Sequence, residues 1–328
     1  MLFVKIFLRF FVVLAIFASI LAVSAYIFFG PAGDTAEQKV FVVPENTLQF
    51  DVSKSLSDNG LIKNPGSFQF LLNNFAADKE IKPGGYRLSQ RMNSWEVMNK
   101  ITGKQDLFWV TISFCARKEQ VGEKLAGVLG WSKDELNDWN KLYTDINSEY
   151  FEGVYYPDTY LLPADETPAE IAERFISNFN EKLSSLSEGY IAKNIKWTTG
   201  LKIASLIARE AAGRSDMKII SGIIWNRLND GMPLQIDATM QYTLGKNADG
   251  TWWGNIDLEE KQSDSPYNSY KNKGLPPTPI CSPNIYALEA ALNPEETDCL
   301  FYLHDNLGEI HCAETYREHL DNIDLYLR

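Results

Sequence analysis

The chain has 328 residues, of which 45% are hydrophobic and 12% aromatic, so it is long enough for two modest domains with well-filled cores. Its formal net charge is −12, and the acidic residues are scattered rather than grouped in long blocks. Because an acidic surface repels phosphates, this charge argues against a nucleic-acid partner.

The first thirty residues are the most apolar part of the chain. Lys5 and Arg9 precede a run of twenty uncharged residues, 10–29, which as a helix is long enough to span a hydrocarbon core of about 30 Å. Basic residues before this run and acidic ones after it predict a cytoplasmic N-terminus and an external remainder. A cleaved signal peptide is the alternative, since "AVSA" at 22–25 resembles a cleavage site, but signal peptides usually have a shorter apolar core. We therefore expect a cytoplasmic tail (1–6), one transmembrane helix (7–29) and a polar linker (30–40).

A small α+β module is expected next. Its predicted elements, in order, are a strand at 41–43, a helix at 47–58, a helix opened by Asn64 and Pro65, a strand at 86–88, and a helix capped by Ser94 that stops at Gly103. This segment holds no converging acid and base side chains, so we expect it to aid substrate placement without doing chemistry.

The rest of the chain is predicted to form a larger α+β domain. The predicted elements are a strand at 107–114, helices at 118–130 and 132–143, a long helix from Thr167, a helix ending with Glu210, a helix capped by Asp216, loops from 232 to 283, a helix at 284–292, a hairpin of 299–305 and 309–313, and a final helix at 315–327.

The helix in "GLKIASLIAREAAG" places a carboxylate on its own apolar stripe. Ile203, Leu206 and Ile207 recur at helical spacing, and Glu210 is the next position on that face. Burying an unpaired carboxylate costs several kcal/mol. Three interpretations follow: Glu210 reaches solvent, it pairs with a buried cation such as Arg227, or it lines a cleft with a raised pKa and donates a proton.

The loops that follow this helix are rich in amides and aromatics, which suit sugar recognition by hydrogen bonding and stacking. The residues concerned are Gln235, Asp237, Gln241, Tyr242, Trp252, Trp253, Tyr267, Asn268 and Tyr270. Two kinds of glycosidic cleavage remain open. One needs a second carboxylate, for which Asp237 is the best candidate, and the other needs a single glutamate that serves as both acid and base.

Cysteine and histidine give no sign of a metal centre. The four cysteines, at 115, 281, 299 and 312, contain no CxxC pair, and the sequence does not reveal how they pair. The histidines at 304, 311 and 319 are spaced by seven and eight residues, which matches no common zinc motif. We therefore expect neither a metal nor a cofactor.

Five long segments carry a family resemblance: "GVYYPDTYLLP", "ASLIAREA", "IIWNRLNDGMPLQIDATMQYTLG", "SPYNSYKNKGLPPTPICSPN" and "GEIHCAETYREHLDNI". Together they resemble the endolytic murein transglycosylases, the YceG-like or MltG family, over nearly the whole chain. The resemblance implies a LysM-like module at 41–105 and a catalytic domain at 106–328. It also implies inner-membrane anchoring with a periplasmic ectodomain, and a role in cell-wall biogenesis and cell shape.

The resemblance further implies that Glu210 is the single general acid and base, cutting nascent peptidoglycan strands between N-acetylmuramic acid and N-acetylglucosamine to leave 1,6-anhydromuramoyl ends. Penicillin-binding synthases and other elongation proteins are the implied partners. Sugar contacts are expected from Gln235, Asp237, Thr239, Tyr267, Asn268, Tyr270, Asn226 and Arg227.

The chain departs from the family pattern in three places. Ala208 stands where a second acidic residue is common, residues 113–115 replace a Pro-Glu-Gly turn, and the C-terminal motif is altered around His311. Two rival functions remain: a non-enzymatic membrane-tethered wall-binding scaffold, and a two-carboxylate hydrolase using Glu210 and Asp237.

Overall fold

The computed structural model describes residues 2–45, 47–143 and 152–328. The chain divides into two compact units, one of residues 1–110 with 160–165 and one of residues 111–159 with 166–328. The expected mixed α+β class with an apolar N-terminal helix is confirmed.

Helix α1 (Leu2–Phe29) contains the apolar run. Its segment Phe7–Phe29 has 23 residues with a mean hydropathy of 2.6, and none of it is buried in the protein. By length and composition this helix can cross a membrane, and a signal sequence has the same two properties.

The first unit continues with two strands that enclose two helices. Its elements are β1 (Lys39–Val43), α2 (Gln49–Asp58), α3 (Pro65–Phe75), β2 (Gly84–Leu88) and α4 (Ser94–Ile101). β1 and β2 pair antiparallel, with Phe41 opposite Tyr86. Strands β3 (Leu107–Thr111) and β4 (Thr159–Pro163) complete a sheet of order β1-β2-β3-β4.

Local capping explains where two helices of this unit, α3 and α4, begin. Asn64 caps α3 as predicted, since its side chain accepts a hydrogen bond from the Ser67 N–H. The predicted cap of α4 is wrong by one position: Asn93 caps that helix and Ser94 is its first residue. Asn93 is preferred because Glu96, three residues on, returns a bond to the Asn93 N–H at 2.8 Å and closes a capping box.

The second unit is mainly helical. Its elements are α5 (Lys118–Leu125) with a π-helical turn (Ala126–Gly130), α6 (Lys133–Asp138) with a π-helical turn (Trp139–Tyr143), α7 (Pro168–Ala192), α8 (Trp197–Glu210), α9 (Met217–Asn229), α10 (Asp237–Leu244), a 3₁₀ turn (Glu260–Gln262), α11 (Ile285–Leu292), β5 (Phe301–His304), β6 (Ile310–Ala313) and α12 (Tyr316–Tyr326).

Helix α8 is the central element of this unit and packs against α9, α10 and α11. Its apolar stripe is fully inside, with Ile203, Leu206 and Ile207 each 0% exposed. Gly200 permits close packing, because a Cβ there would lie 2.3 Å from the Tyr190 ring. The stripe therefore anchors α8 in the core up to its last residue, Glu210.

The structure corrects one stretch of predicted loop. Residues Asp237–Leu244 form α10, where we expected irregular chain. The helix has only eight residues, too short for a clear apolar period, and it starts with an acidic residue, which favours a helix N-terminus.

The predicted C-terminal hairpin is confirmed, with β5 and β6 antiparallel and Tyr302 opposite Cys312. The cysteine pairing that the sequence left open is Cys115–Cys281 and Cys299–Cys312. The second disulfide ties the segment before β5 to β6.

Candidate active site

Glu210 lies in a cleft at the C-terminal end of α8. The cleft has a volume of about 370 Å³, and its walls come from α8, α9, the loop before α10, the loop between α10 and α11, strand β5 and α12. The lining residues are Glu210, Arg227, Leu234, Gln235, Tyr270, Phe301, Tyr302, Tyr316 and His319. Polar and aromatic groups thus surround one carboxylate.

Among the residues that the structure describes, Glu210 has one side-chain hydrogen-bond partner. The Tyr302 hydroxyl donates a hydrogen bond to Glu210 Oε2 at 2.5 Å. Burial raises the pKa of the Glu210 carboxyl, the bond from Tyr302 acts against this, and the negative charge of Asp237 adds to the increase. Burial, together with the adjacent Glu210 charge, raises the pKa of Tyr302 well above its usual value. Glu210 therefore holds its proton more tightly than an exposed glutamate.

Arg227 does not neutralise Glu210. Within the part of the chain that the structure describes, Glu210 forms no ion pair. Arg227 is 8% exposed and donates from Nε to the Leu300 carbonyl at 2.6 Å and from Nη1 to the Leu234 carbonyl at 2.7 Å. The ion-pair interpretation of Glu210 is therefore wrong, and Arg227 instead joins α9 to two walls of the cleft.

Gln235 lines the cleft in an uncommon backbone conformation. Its φ is +54°, in the left-handed region that non-glycine residues rarely adopt. Its N–H donates to the Ser269 carbonyl at 2.9 Å, and its neighbours Leu234 and Ile236 are buried. Both flanking side chains are thus anchored in the core while Gln235 is exposed at the cleft.

Asp237 is engaged by two other side chains and is not among the cleft-lining residues. Its Oδ1 accepts a hydrogen bond from the Tyr270 hydroxyl and pairs with Lys261 Nζ at 3.1 Å. Lys261 also donates to the Tyr270 hydroxyl at 2.9 Å. Asp237 therefore holds Tyr270, which does line the cleft.

Thr239 and Asn268 are completely buried. The Thr239 hydroxyl bonds the Ile236 carbonyl at 2.8 Å and the Ser269 hydroxyl at 2.9 Å. Asn268 Nδ2 donates to the carbonyls of Lys261 and Ser263, and its Oδ1 accepts from the Tyr270 N–H at 3.0 Å. We correct our expectation of direct sugar contacts here: these side chains are used inside the protein and shape the loops.

Asn226 and Tyr267 lie outside this cleft. Asn226 Nδ2 donates to the carbonyls of Thr297 at 2.6 Å and Cys299 at 3.2 Å, so it supports the segment leading into β5. The Tyr267 hydroxyl bonds the Thr278 hydroxyl at 2.8 Å. The structure does not bring these two residues into the cleft of Glu210, and direct sugar contacts from them stay a prediction.

Sequence reasoning missed the contribution of the C-terminal segment. Phe301 and Tyr302 come from β5, and Tyr316 and His319 come from α12. The available signal was the predicted hairpin itself, a strand pair with aromatic residues. Only the fold shows that it faces the end of α8.

Asp216 and His304 support the turn directly after Glu210. Asp216 was expected to cap α9, but its side chain makes no capping bond to that helix. Its carboxylate accepts from the N–H groups of Ala212 at 2.8 Å and Gly213 at 3.0 Å, and His304 Nε2 lies 2.8 Å away. This buried carboxylate thus holds the chain that leaves α8.

One group of side chains has the composition of a metal site. Asp305, Glu309 and His311 bring one ligand atom each within 4.8 Å of one another, at the turn of the C-terminal hairpin. Asp305 already accepts from the N–H groups of Leu307 and Glu309, and His311 Nε2 lies 3.0 Å from its carboxylate. The turn geometry accounts for these contacts, and the absence of a metal stays a prediction.

The fold and the cleft define an α+β protein with one desolvated glutamate in a polar, aromatic-walled site. The YceG-like family model matches residues 41–325, and the chain belongs to this family.

Relatives with known names cover most of the chain. It is 28% identical over 299 residues to the endolytic murein transglycosylase of Bacillus subtilis (strain 168), covering 84% of this chain and 81% of the relative. It is 26% identical over 320 residues to that of Streptococcus pneumoniae serotype 2 (strain D39), covering 86% of this chain and 57% of the relative. A crystal structure of a yceG-like protein from Listeria monocytogenes matches with a TM-score of 0.63 and 26% identity, over 88% of this chain and 99% of that one.

Proposed function

We propose that this protein is a membrane-anchored endolytic transglycosylase that cuts the glycan strands of peptidoglycan. The observation that carries the proposal is Glu210, a carboxyl whose pKa is raised by burial, in a cleft and bonded by Tyr302. Membership in the YceG-like family and the names of the relatives give the reaction class and the substrate.

Glu210 acts twice in the proposed reaction. In its protonated form it gives its proton to the glycosidic oxygen as the bond from C1 of N-acetylmuramic acid breaks. The resulting carboxylate takes the proton of the C6 hydroxyl of the same sugar, whose oxygen bonds to C1 and forms the 1,6-anhydro ring. The acetamido group of the sugar can cover the positive charge between the two steps. No water is consumed, and Glu210 ends protonated again.

The cleft supports a single-carboxylate reaction over two-carboxylate hydrolysis. Among its described lining residues, Glu210 is the only acid. Asp237, the candidate second carboxylate, is engaged by Lys261 and Tyr270. Its charge still raises the pKa of Glu210 and so helps to keep the acid protonated.

Four other side chains are proposed to hold the sugars. Gln235 and Arg227 offer hydrogen-bond donors at the cleft, and Tyr270 and Tyr302 offer both a hydroxyl and an aromatic face. Tyr302 also fixes the position of the Glu210 carboxylate. Asn226, Asp237, Thr239, Tyr267 and Asn268 then act as positioning residues for the walls.

The proposed organisation follows the family. Residues 1–6 form a cytoplasmic tail, 7–29 an inner-membrane anchor, 30–40 a linker, 41–105 a LysM-like module and 106–328 the catalytic domain. The β1-α2-α3-β2 order with antiparallel strands supports the LysM-like assignment. Penicillin-binding synthases are the proposed partners, because the anchor would hold the enzyme where new strands emerge.

Product mass tests the reaction. Full-length protein in detergent is incubated with purified peptidoglycan, and the released fragments are weighed. Hydrolysis adds one water, about 18 Da, per cut, whereas intramolecular transglycosylation adds nothing. Anhydro ends support the proposal, hydrated ends favour the hydrolase, and intact strands favour the scaffold.

Protease accessibility tests the topology. In spheroplasts, added protease is expected to degrade the chain beyond residue 29, because the charge asymmetry around α1 puts the N-terminus inside. Full protection of this part would reject the orientation, and loss of residues 1–25 from the mature protein would show that α1 is a signal peptide.

A further inference from the structure

A second cavity lies in the same unit as the cleft of Glu210. It has a volume of about 540 Å³, and its lining includes Cys115, Gln120, Lys124, Arg209, Trp252 and Trp253. We name it the Arg209 pocket. Arg209 lines this pocket and Glu210, the next residue, lines the cleft. Two consecutive residues of α8 thus contribute to the two cavities.

The Arg209 guanidinium lines this pocket without an ion-pair partner among the described residues. Its Nε is buried without a hydrogen-bond partner, and nothing in the described ranges forms an ion pair with it. Its guanidinium stands 4.2 Å from the centre of the Trp253 ring. A partly desolvated guanidinium without an ion-pair partner is costly, and a carboxylate ligand in the pocket would compensate its charge through the Nη groups.

The pocket has a second cation, and its described acid is already paired. Lys124 lines it and forms no ion pair with any described residue. The only acid among the lining residues is Glu123, which already pairs with Lys246 at 2.7 Å and accepts from Trp252 Nε1 at 3.4 Å. In a chain with a net charge of −12, a pocket with two unpaired cations points to an anionic ligand.

Backbone strain is concentrated around the same two cavities. Four described residues other than glycine have a positive φ. Cys115 (54°) and Trp253 (65°) line the Arg209 pocket, and Gln235 (54°) lines the cleft. Such residues cost free energy and cluster at functional sites. At Trp253, this conformation accompanies the placement of the indole against Arg209.

We infer that the Arg209 pocket binds a carboxylate of the peptide stem carried by the N-acetylmuramic acid at the cut. This inference rests on the proposed function. Where a stem is attached, the lactyl group of the sugar is an amide, so the sugars are neutral and the carboxylates lie on the peptide stems. An anion site one residue from the catalytic glutamate therefore suits the stem, with the tryptophans packing against its aliphatic part.

The test compares two substrates. Full-length protein is assayed for kcat/KM on strands with free stem carboxylates and on the same strands with these carboxylates converted to amides, because removing the stems with an amidase would expose a new carboxylate on the lactyl group. The wild type is expected to favour the strands with free carboxylates about tenfold or more, the value of one charge-assisted pair. Arg209→Gln should reduce this ratio towards one. Arg214→Gln is the matched control, because it removes an exposed arginine that stands over the Tyr286 ring, and it should keep the ratio.

The ratio separates stem binding from an effect through Glu210. If Arg209 acted only on the pKa of Glu210, Arg209→Gln would lower kcat/KM equally on both substrates. The ratio of the two values would then stay unchanged, which would overturn the inference. Lys124→Glu, at an exposed position, is a second variant that should also lower the ratio. It keeps the test available if Arg209→Gln does not fold. Equal cleavage of both substrates by the wild type would overturn the stem pocket and leave the proposed function standing, whereas cleavage of neither would reject the function itself.

Discussion

Tyr302 donates a hydrogen bond to Glu210 across 2.5 Å, although the two residues are 92 positions apart in the sequence. The bond joins strand β5 to the end of helix α8. It favours the ionised carboxylate, while burial favours the protonated acid. An enzyme whose single carboxyl must both give and take a proton needs such a balance.

Removing the Glu210 carboxyl should abolish cleavage. Loss of acid–base catalysis usually costs about 10²–10⁴ in rate, and Glu210→Gln loses both steps while it keeps an acceptor for Tyr302. Product release from purified peptidoglycan measures the effect. A variant that cuts at more than about a tenth of the wild-type rate would reject the mechanism.

The same variant should be more stable than the wild type as the pH rises. The folded-state pKa of Glu210 lies above its unfolded value, so the wild type loses stability as the pH rises from about 4.5 through the folded pKa. Glutamine carries no such cost. Urea unfolding at acid and neutral pH measures the free energy of unfolding of both proteins, and the advantage of the variant should increase with pH.

Tyr302→Phe should move the alkaline limb of the rate profile upwards. The hydroxyl lowers the pKa of Glu210, so its loss leaves the effect of burial unopposed and keeps the acid protonated to higher pH. We also expect the maximal rate to fall about tenfold, because the carboxyl loses a charge-assisted bond that fixes its position. Measuring kcat/KM against pH gives both results; an alkaline limb that stays in place or moves down would contradict this assignment.

Asn268→Ala should weaken the loop that carries Tyr270. It leaves the carbonyls of Lys261 and Ser263 without their donor, at a cost of about 1–3 kcal/mol in the free energy of unfolding. Turnover should fall about tenfold or more, since Tyr270 lines the cleft.

Asn272→Ala is the matched control for the same loop. Asn272 is exposed and donates to the Ser265 carbonyl at 3.0 Å, so its loss should change the stability by about 0.5 kcal/mol or less. If both variants have wild-type kinetics, the positioning role of Asn268 is rejected.

Glu152→Gln should stabilise the protein near neutral pH. Glu152 is 0% exposed, and burial followed by the charge of Glu119 raises its pKa from 4.5 to about 7. The wild type therefore loses stability as the pH rises from about 4.5 to 7. At about 1.4 kcal/mol per pKa unit, a rise in the pKa from 4.5 to about 7 corresponds to about 3.5 kcal/mol in the free energy of unfolding.

Glutamine can keep the contacts of Glu152 with the N–H groups of Lys118 and Gly153 and with the Tyr242 hydroxyl. Urea unfolding at pH 5 and pH 8 measures the gain. Glu173→Gln, at an exposed position, is the control and should change neither value; an equal effect of both variants would show that burial is not the cause.

The two disulfides should contribute unequally to stability. Cys115–Cys281 closes a sequence separation of 166 residues and Cys299–Cys312 one of 13. Loss of a cross-link costs about 2–5 kcal/mol and, in the chain-entropy account, more for the longer loop. Replacing each pair by alanine and comparing urea unfolding tests this. A larger loss from the short loop would show that native contacts outweigh chain entropy here.

Sequence patterns determined the elements whose cause is local. The apolar run of α1, the cap of α3 at Asn64, the stripe that ends at Glu210 and the C-terminal hairpin all depend on residues close together in the chain. The carboxylate on an apolar stripe was visible for the same reason. Family resemblance supplied the reaction class, which no local pattern contains.

Tertiary structure alone decided which side chains meet Glu210 and which serve the walls. Tyr302, Tyr316 and His319 reach the cleft because the hairpin and α12 fold back onto the unit that contains α8, while Asn268 turns inward to bind loop carbonyls. These outcomes depend on packing between segments far apart in the chain. The identity of an amide or a tyrosine in the sequence does not reveal whether its side chain faces a ligand or a backbone carbonyl. The sequence by itself thus located the acid, and the fold assigned its partner.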